Sequence, residues 1–261
     1  PATVRAVCYR LFTQNLIANM SKGETDKVSR ALTLARERGW IAWEWIVDET
    51  RHVEQRPGWD DPAAFMAVAK RSYRLDRWQD QPERILVVSE KATIGGLLRP
   101  VLHAYGVGFL VLHGFGSATA LNDLADFSLA DDRPLSLLYI GDHDPSGRYM
   151  SDVDISQRLD KYGGQATLSR LAVTPEQIAA YDLPTFAAET KAKDARYRWF
   201  LDHHGVTCCE LDALNPNVLR LVVEDAIVGV IDWPTWDRAE VAEAAQLRSL
   251  DNFFTSWPGA A

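Results

Sequence analysis

From residue 84 onward, short apolar runs alternate with helix-like stretches, and this alternation limits the possible fold more than any other feature of the chain. Residues 85–88, 109–112 and 135–140 are strand-length segments made almost wholly of apolar side chains. A strand with one wet face alternates polar and apolar residues, whereas a strand covered on both faces does not. Helical patterns fall between these runs at 93–104, 117–126, near 147–160 and at 189–203, with a further strand near 166–172. Strands alternating with helices predict an α/β domain with a mostly parallel sheet flanked by helices. The ligand site of such a sheet lies beyond the carboxyl ends of its strands.

The first eighty residues have a different character. Residues 3–18 predict a helix with Val4, Val7, Cys8, Leu11 and Phe12 on one face, and residues 25–38 predict a second, closed by Gly39. Residues 40–47 are β-rich. Two helices followed by a β-segment read either as a winged-helix module, which sets a helix in the DNA major groove, or as a small helical cap that touches no DNA. A turn-rich linker at 55–62, a helix at 63–78 and a break at 79–83 set the expected boundary, giving domains 1–80 and 81–261.

Composition narrows the function classes. The net charge of −8 is unevenly spread, because residues 1–80 carry 13 basic against 11 acidic side chains and residues 81–261 carry 15 against 25. Charge alone therefore neither demands nor forbids a nucleic-acid partner. No apolar run reaches membrane-spanning length and no charged-then-apolar leader opens the chain, so a cytoplasmic protein is expected. Cys8, Cys208 and Cys209 lack CxxC spacing, which fits reduced thiols and argues against structural zinc. There is no GxxxxGK[ST] phosphate loop.

The acidic residues at the strand ends carry the chemistry. Glu90 follows the first strand, and Asp142 and Asp144 follow the third within Gly141-Asp142-His143-Asp144-Pro145-Ser146-Gly147. Residues i and i+2 of an extended chain project to one side, so the two aspartates point together while His143 points away to solvent. Carboxylates without thiol partners suit a hard cation, Mg²⁺ or in its place Mn²⁺. Such an ion neutralises a phosphate and steadies attacking and leaving oxygens. Glu210 and Asp212, after an expected strand at 206–209, extend the acidic cluster.

A glutamate ending one strand and a DxD following another resemble the Toprim domain of topoisomerases, bacterial primases and certain nucleases. The GDxDPxG form is most similar to the A subunit of topoisomerase VI and the related meiotic double-strand-break transesterase. Leu171–Ile178 and Glu210–Leu214 are similar to the tail of compact bacterial and mobile-element members, and the resemblance covers about residues 3–230. It implies a winged-helix (CAP-like) domain joined to a Toprim domain, double-stranded DNA as substrate, a homodimer that joins one protomer's tyrosine to the other's metal site, and a separate ATPase subunit. It also implies a nucleoid-associated setting and a tyrosine nucleophile preceded four residues earlier by an arginine.

Here the matching text is Arg5-Ala6-Val7-Cys8-Tyr9, with Cys8 where many relatives carry a first tyrosine. Spacing i, i+4 puts Arg5 and Tyr9 on one helix face. A phenol of pKa ~10 is a poor nucleophile at neutral pH, and a guanidinium favours its ionisation and grips the phosphate. Tyr9 would then form a 5′-phosphotyrosine link. Lys91 and Arg51 are candidate DNA contacts. The alternatives are a Toprim nuclease that activates water, and a DNA-binding factor without activity. A primase is disfavoured because zinc-ribbon cysteines are lacking.

Overall fold

The structure is a computed structural model that describes residues 2–46 and 58–256. Its centre is a parallel sheet of four strands: β1 (Arg84–Ser89), β2 (Gly108–Val111), β3 (Leu135–Ile140) and β4 (Thr167–Ala172), in the order β2-β1-β3-β4. Parallel strands need crossover connections. Helices α4 (Gly95–Tyr105) and α5 (Ala118–Leu129) supply two of them. The third is the run of α6 (Pro145–Tyr149), a π-turn at Met150–Asp154 and α7 (Ile155–Lys161). The α/β reading of the sequence is met.

Alternation along the strands sorts the core. Leu135, Leu137 and Tyr139 of β3 pack with Val88, Leu121, Leu124, Met150, Ile155 and Leu159, all of them buried. Leu138 and Ile140 are also buried and point to the opposite face. Burial on both faces explains why the central strands read as nearly continuous apolar runs.

The chain gathers into two compact units. Among the described residues, one takes its members from Pro1–Thr50 and Arg84–Gly229, the other from Arg51–Glu83 and Val230–Ala261. The first thus joins helices α1 (Val4–Thr13) and α2 (Lys22–Glu37) to the sheet, and adds α8 (Pro175–Ala180), α9 (Tyr197–His204) and a two-stranded ribbon, β5 (Phe186–Ala187) with β6 (Thr207–Cys208). Nearly all of α10 (Pro216–Val230) also belongs there. The second unit holds α3 (Pro62–Ser72) and α11 (Trp233–Thr255). Trp78 meets Trp236 edge-on at 5.8 Å, and Gln81 exchanges hydrogen bonds with the backbone of Asp232.

Several local expectations are corrected. The first helix stops at Thr13, and Asn15 follows with φ at +57°, a left-handed turn residue. In the β-rich stretch expected at 40–47, of which Val47 lies outside the described residues, a 3₁₀ turn spans Trp43–Trp45 and a parallel bridge joins Ile46 to Ala2. Among the described residues no strand pairs with it in a ladder, and β-propensity expresses a fit to neighbouring strands. The helix expected at 63–78 ends at Ser72, and that at 189–203 splits into a 3₁₀ turn at Ala188–Lys191 and α9.

Candidate active site

Strands β1 and β3 are neighbours in parallel register, with Ser89 opposite Ile140. Glu90 and the 141–147 loop therefore leave the sheet side by side. The loop turns at once into α6 because its sequence is a helix start: the Asp144 carboxylate accepts from Gly147 N at 2.8 Å and Pro145 takes the first helical position. Gly147 is obligatory here, since a Cβ on it would lie 2.4 Å from the Asp142 carbonyl oxygen.

Arg170, reaching over from β4, pins the loop from behind. Its guanidinium donates to the carbonyls of Gly141 (2.8 Å), Gly147 (3.0 Å) and Asp142, and to Ser151 Oγ (2.7 Å). Burial lowers its pKa to about 10, which still leaves it charged at neutral pH.

The acidic side chains are interleaved with bases. Lys91 Nζ sits 2.6 Å from Asp142 Oδ1 and 3.0 Å from Asp212 Oδ2. Burial opposes its charge, but these two carboxylates outweigh burial and hold the ammonium above the ordinary lysine range. Asp142 also accepts from Leu211 N at 2.7 Å, and Lys191 Nζ lies 3.2 Å from Asp144 Oδ2. Glu90 is the strained member. Burial, then repulsion from Asp142 and, more weakly, Asp144, raise its carboxyl to about 7 against the pull of Lys91.

Arg5 and Tyr9 lie on the face of α1 turned toward this cluster. The Tyr9 hydroxyl donates to Glu210 Oε2. Arg5 Nη2 approaches the same oxygen at 3.1 Å, and Arg5 Nε reaches Asp212 Oδ2 at 3.3 Å. Helix spacing put the two side chains on one face, and the fold brings that face to residues two hundred positions away, within a single chain. Tyr9 is only 6% exposed. A cavity of about 180 Å³ opens beside it, lined by Tyr9, Phe12, Met20, Phe186 and Glu210 among others.

Sequence expectation and structure part company at several residues. His143 is not a solvent-facing loop residue: it is 3% exposed, meets Phe200 at 5.5 Å and exchanges backbone hydrogen bonds with Cys209. Its ring is turned into this packing, and burial lowers its pKa to about 4. Lys91, the candidate DNA contact, is paired with Asp142 and Asp212. Glu210 and Asp212 join the cluster through Tyr9, Arg5 and Lys91. Arg51 lies outside the described residues. Arg170 and Lys191 were not singled out from sequence. An arginine on a strand and a lysine ending a short 3₁₀ turn carry no local signal of the loop carbonyls and the carboxylate they meet.

Among the described residues, no three His, Cys, Asp or Glu side chains converge tightly enough to hold a metal ion. The donor set nevertheless fits Mg²⁺ or Mn²⁺. It offers carboxylate oxygens, and the repulsion that raises Glu90 is what a divalent cation between Glu90, Asp142 and Asp144 would relieve. No family model matches the chain, and no curated protein matches it either.

Proposed function

We propose that this protein is a divalent-metal-dependent DNA transesterase of the topoisomerase VI A-subunit kind, a Toprim domain with a winged-helix-like N-terminal module, in which Tyr9 is the nucleophile. The observation that carries the reading is the meeting of Arg5 and Tyr9 with Glu210 and Asp212, beside Glu90 and Asp142. A tyrosine with a guanidinium at its side, set against strand-end carboxylates, is the equipment that phosphodiester transesterification needs.

In this reading the Tyr9 oxygen attacks a backbone phosphorus of duplex DNA. The bond to the 3′-oxygen breaks, and a 5′-phosphotyrosine ester conserves its energy for resealing. Arg5 lies with its guanidinium carbon 5.5 Å from the Tyr9 ring centre, close enough to turn from its carboxylates to the phosphate as charge builds there. Glu90, Asp142 and Asp144 would hold Mg²⁺ or Mn²⁺, which supplies charge neutralisation at the phosphate and the departing oxygen. Lys91, once released from Asp142, is a phosphate contact. Members of the family that the chain resembles join one protomer's tyrosine to the other's metal site, hence a homodimer. Strand passage needs a separate ATPase subunit, because the sequence has no phosphate loop.

The test is covalent trapping. Incubated with plasmid DNA and Mn²⁺ and then denatured, the chain is expected to carry DNA through Tyr9, and Tyr9→Phe to carry none. Cleavage that survives Tyr9→Phe, with free 5′-phosphate ends, would instead establish a water-using nuclease. The 6% exposure of Tyr9 is the observation that favours that second reading.

A further inference from the structure

We propose that the cavity between α1, α4 and the start of α10 is a binding site for a small aromatic carboxylate. None of Glu90, Asp142 and Asp144 lines it, and it does not depend on the transesterase reading above.

The cavity holds about 120 Å³, and short side chains leave that space. Ala6, Arg10 and Thr13 follow one another at helical spacing along the face of α1 that lines it, and Ala6 and Thr13 give that face little bulk. The other walls carry Ile94, Leu211, Leu214 and Leu219, all of them buried. The hydroxyls on the α1 side are spent on backbone: Thr13 Oγ1 donates to the Arg10 carbonyl, and Thr3 Oγ1 accepts from Ala6 N. The body of the cavity is therefore apolar. Water held there would lack the two to four polar partners it needs, whereas an apolar cavity of about 150 Å³ takes up a benzene ring.

The charge that lines this apolar space is positive. Arg10 and Arg220 both belong to the lining. Arg220 is held by neutral acceptors, its Nε donating to the Leu97 carbonyl at 3.0 Å and its Nη1 to Asn217 Oδ1 at 3.1 Å. Among the described residues the one carboxylate in the lining is Asp212, and it is taken by Arg5 at 3.3 Å and Lys91 at 3.0 Å. Helices α4 and α10 also begin here, with Gly96, Leu97 and Pro216 in their first turns, so the positive ends of two helix dipoles add to the two guanidiniums. A ring fills the hollow, and a single carboxylate on that ring matches the paired N–H groups of a guanidinium. A neutral ring leaves the arginines unanswered, and a cationic one is repelled. Such a ligand would tie α1, the helix that carries Arg5 and Tyr9, to α4 and α10, and so act as an effector on that helix.

The experiment titrates the full-length chain by calorimetry with three probes of similar shape: benzoate, benzyl alcohol and benzylamine. Benzoate is expected to bind at one site, about tenfold or more tighter than the other two, the margin that a charge-assisted pair supplies. Arg10→Gln and Arg220→Gln should each weaken benzoate by about fivefold or more. Ala6→Leu, which fills the cavity from α1, should abolish benzoate binding. Crystals of the natural chain grown with benzoate locate the ring without any variant, so a failure of Ala6→Leu to fold does not block the test. No saturable binding of benzoate, equal binding of the three probes, or a ring seated outside the cavity would each overturn the site. All of these readouts are binding measurements, so the site can fail while the covalent trapping through Tyr9 succeeds, and the reverse.

Discussion

At the level of single residues, the site is defined by how buried charges are shared. Glu90 and His143 lie within one short stretch of the fold and titrate in opposite senses. The Glu90 carboxyl, ordinarily near 4.5, stands at about 7 in the folded chain. Between those values the folded state holds a proton that the unfolded state has released, so the stability this group contributes is present below about pH 4.5 and lost as pH rises to about 7. His143 stands at about 4 instead of 6.5. The unfolded chain takes up its proton first, so stability is lost as pH falls from 6.5 toward 4. In Glu90→Gln the first slope vanishes and the second remains. Without divalent ions, that variant should be more stable than the natural chain at pH 8 by on the order of 1–3 kcal/mol, and no more stable at pH 4. Urea unfolding at the two pH values checks this, and an equal effect at both would refute the repulsion inferred at Glu90.

At the level of elements, the decisive piece is the loop between β3 and α6. Its seven residues, Gly141–Gly147, announce a helix start: aspartate as cap, proline next and glycine two positions further. What they do not announce is how little space surrounds the glycine. A methyl group at Gly147 would meet the Asp142 carbonyl oxygen at 2.4 Å, and backbone cannot swing aside as a flexible side chain does. Gly147→Ala should therefore cost about 1–3 kcal/mol and shift Asp142 away from Lys91. Chemical denaturation would measure the cost, and a crystal structure of the variant would record the shift. A variant as stable as the natural chain, with the loop unmoved, would show that the loop is looser than the structure has it. The N-terminal elements teach the opposite lesson. The tryptophan-rich residues 40–47 carry strong β-propensity, yet β-propensity expresses a fit to neighbouring strands. Among the described residues 40–46, a 3₁₀ turn and one bridge stand there instead.

For the whole molecule, five carboxylates against four bases (Arg5, Lys91, Arg170 and Lys191) at one edge of the sheet leave an excess of negative charge that a cation can fill. A ligand that binds only the folded state stabilises it by RT ln(1 + [L]/Kd), about 2.7 kcal/mol at a hundredfold excess over Kd. Mg²⁺ or Mn²⁺ should therefore raise the melting temperature of the chain. Replacing Asp142 and Asp144 together by asparagine should abolish the rise, as scanning calorimetry with and without chelator will record. A natural chain whose melting ignores both ions has no metal site at this edge. Much of the architecture was legible in advance. Apolar runs covered on both faces dictate a parallel sheet with helices around it, and a parallel sheet dictates that the chemistry sits where its strands end. Glu90, Asp142 and Asp144 were readable on those grounds, and the i, i+4 spacing made Arg5 and Tyr9 a pair. Spacing works because one helical turn or one strand pleat fixes it locally. The partners of that pair lie some two hundred residues away, and only the packing of α1 against the 210–213 turn gives Tyr9 its Glu210 and Arg5 its Asp212, just as only the pairing of β4 with β3 gives the loop its Arg170. Such contacts depend on the summed path of the chain, and no local pattern in the sequence records it.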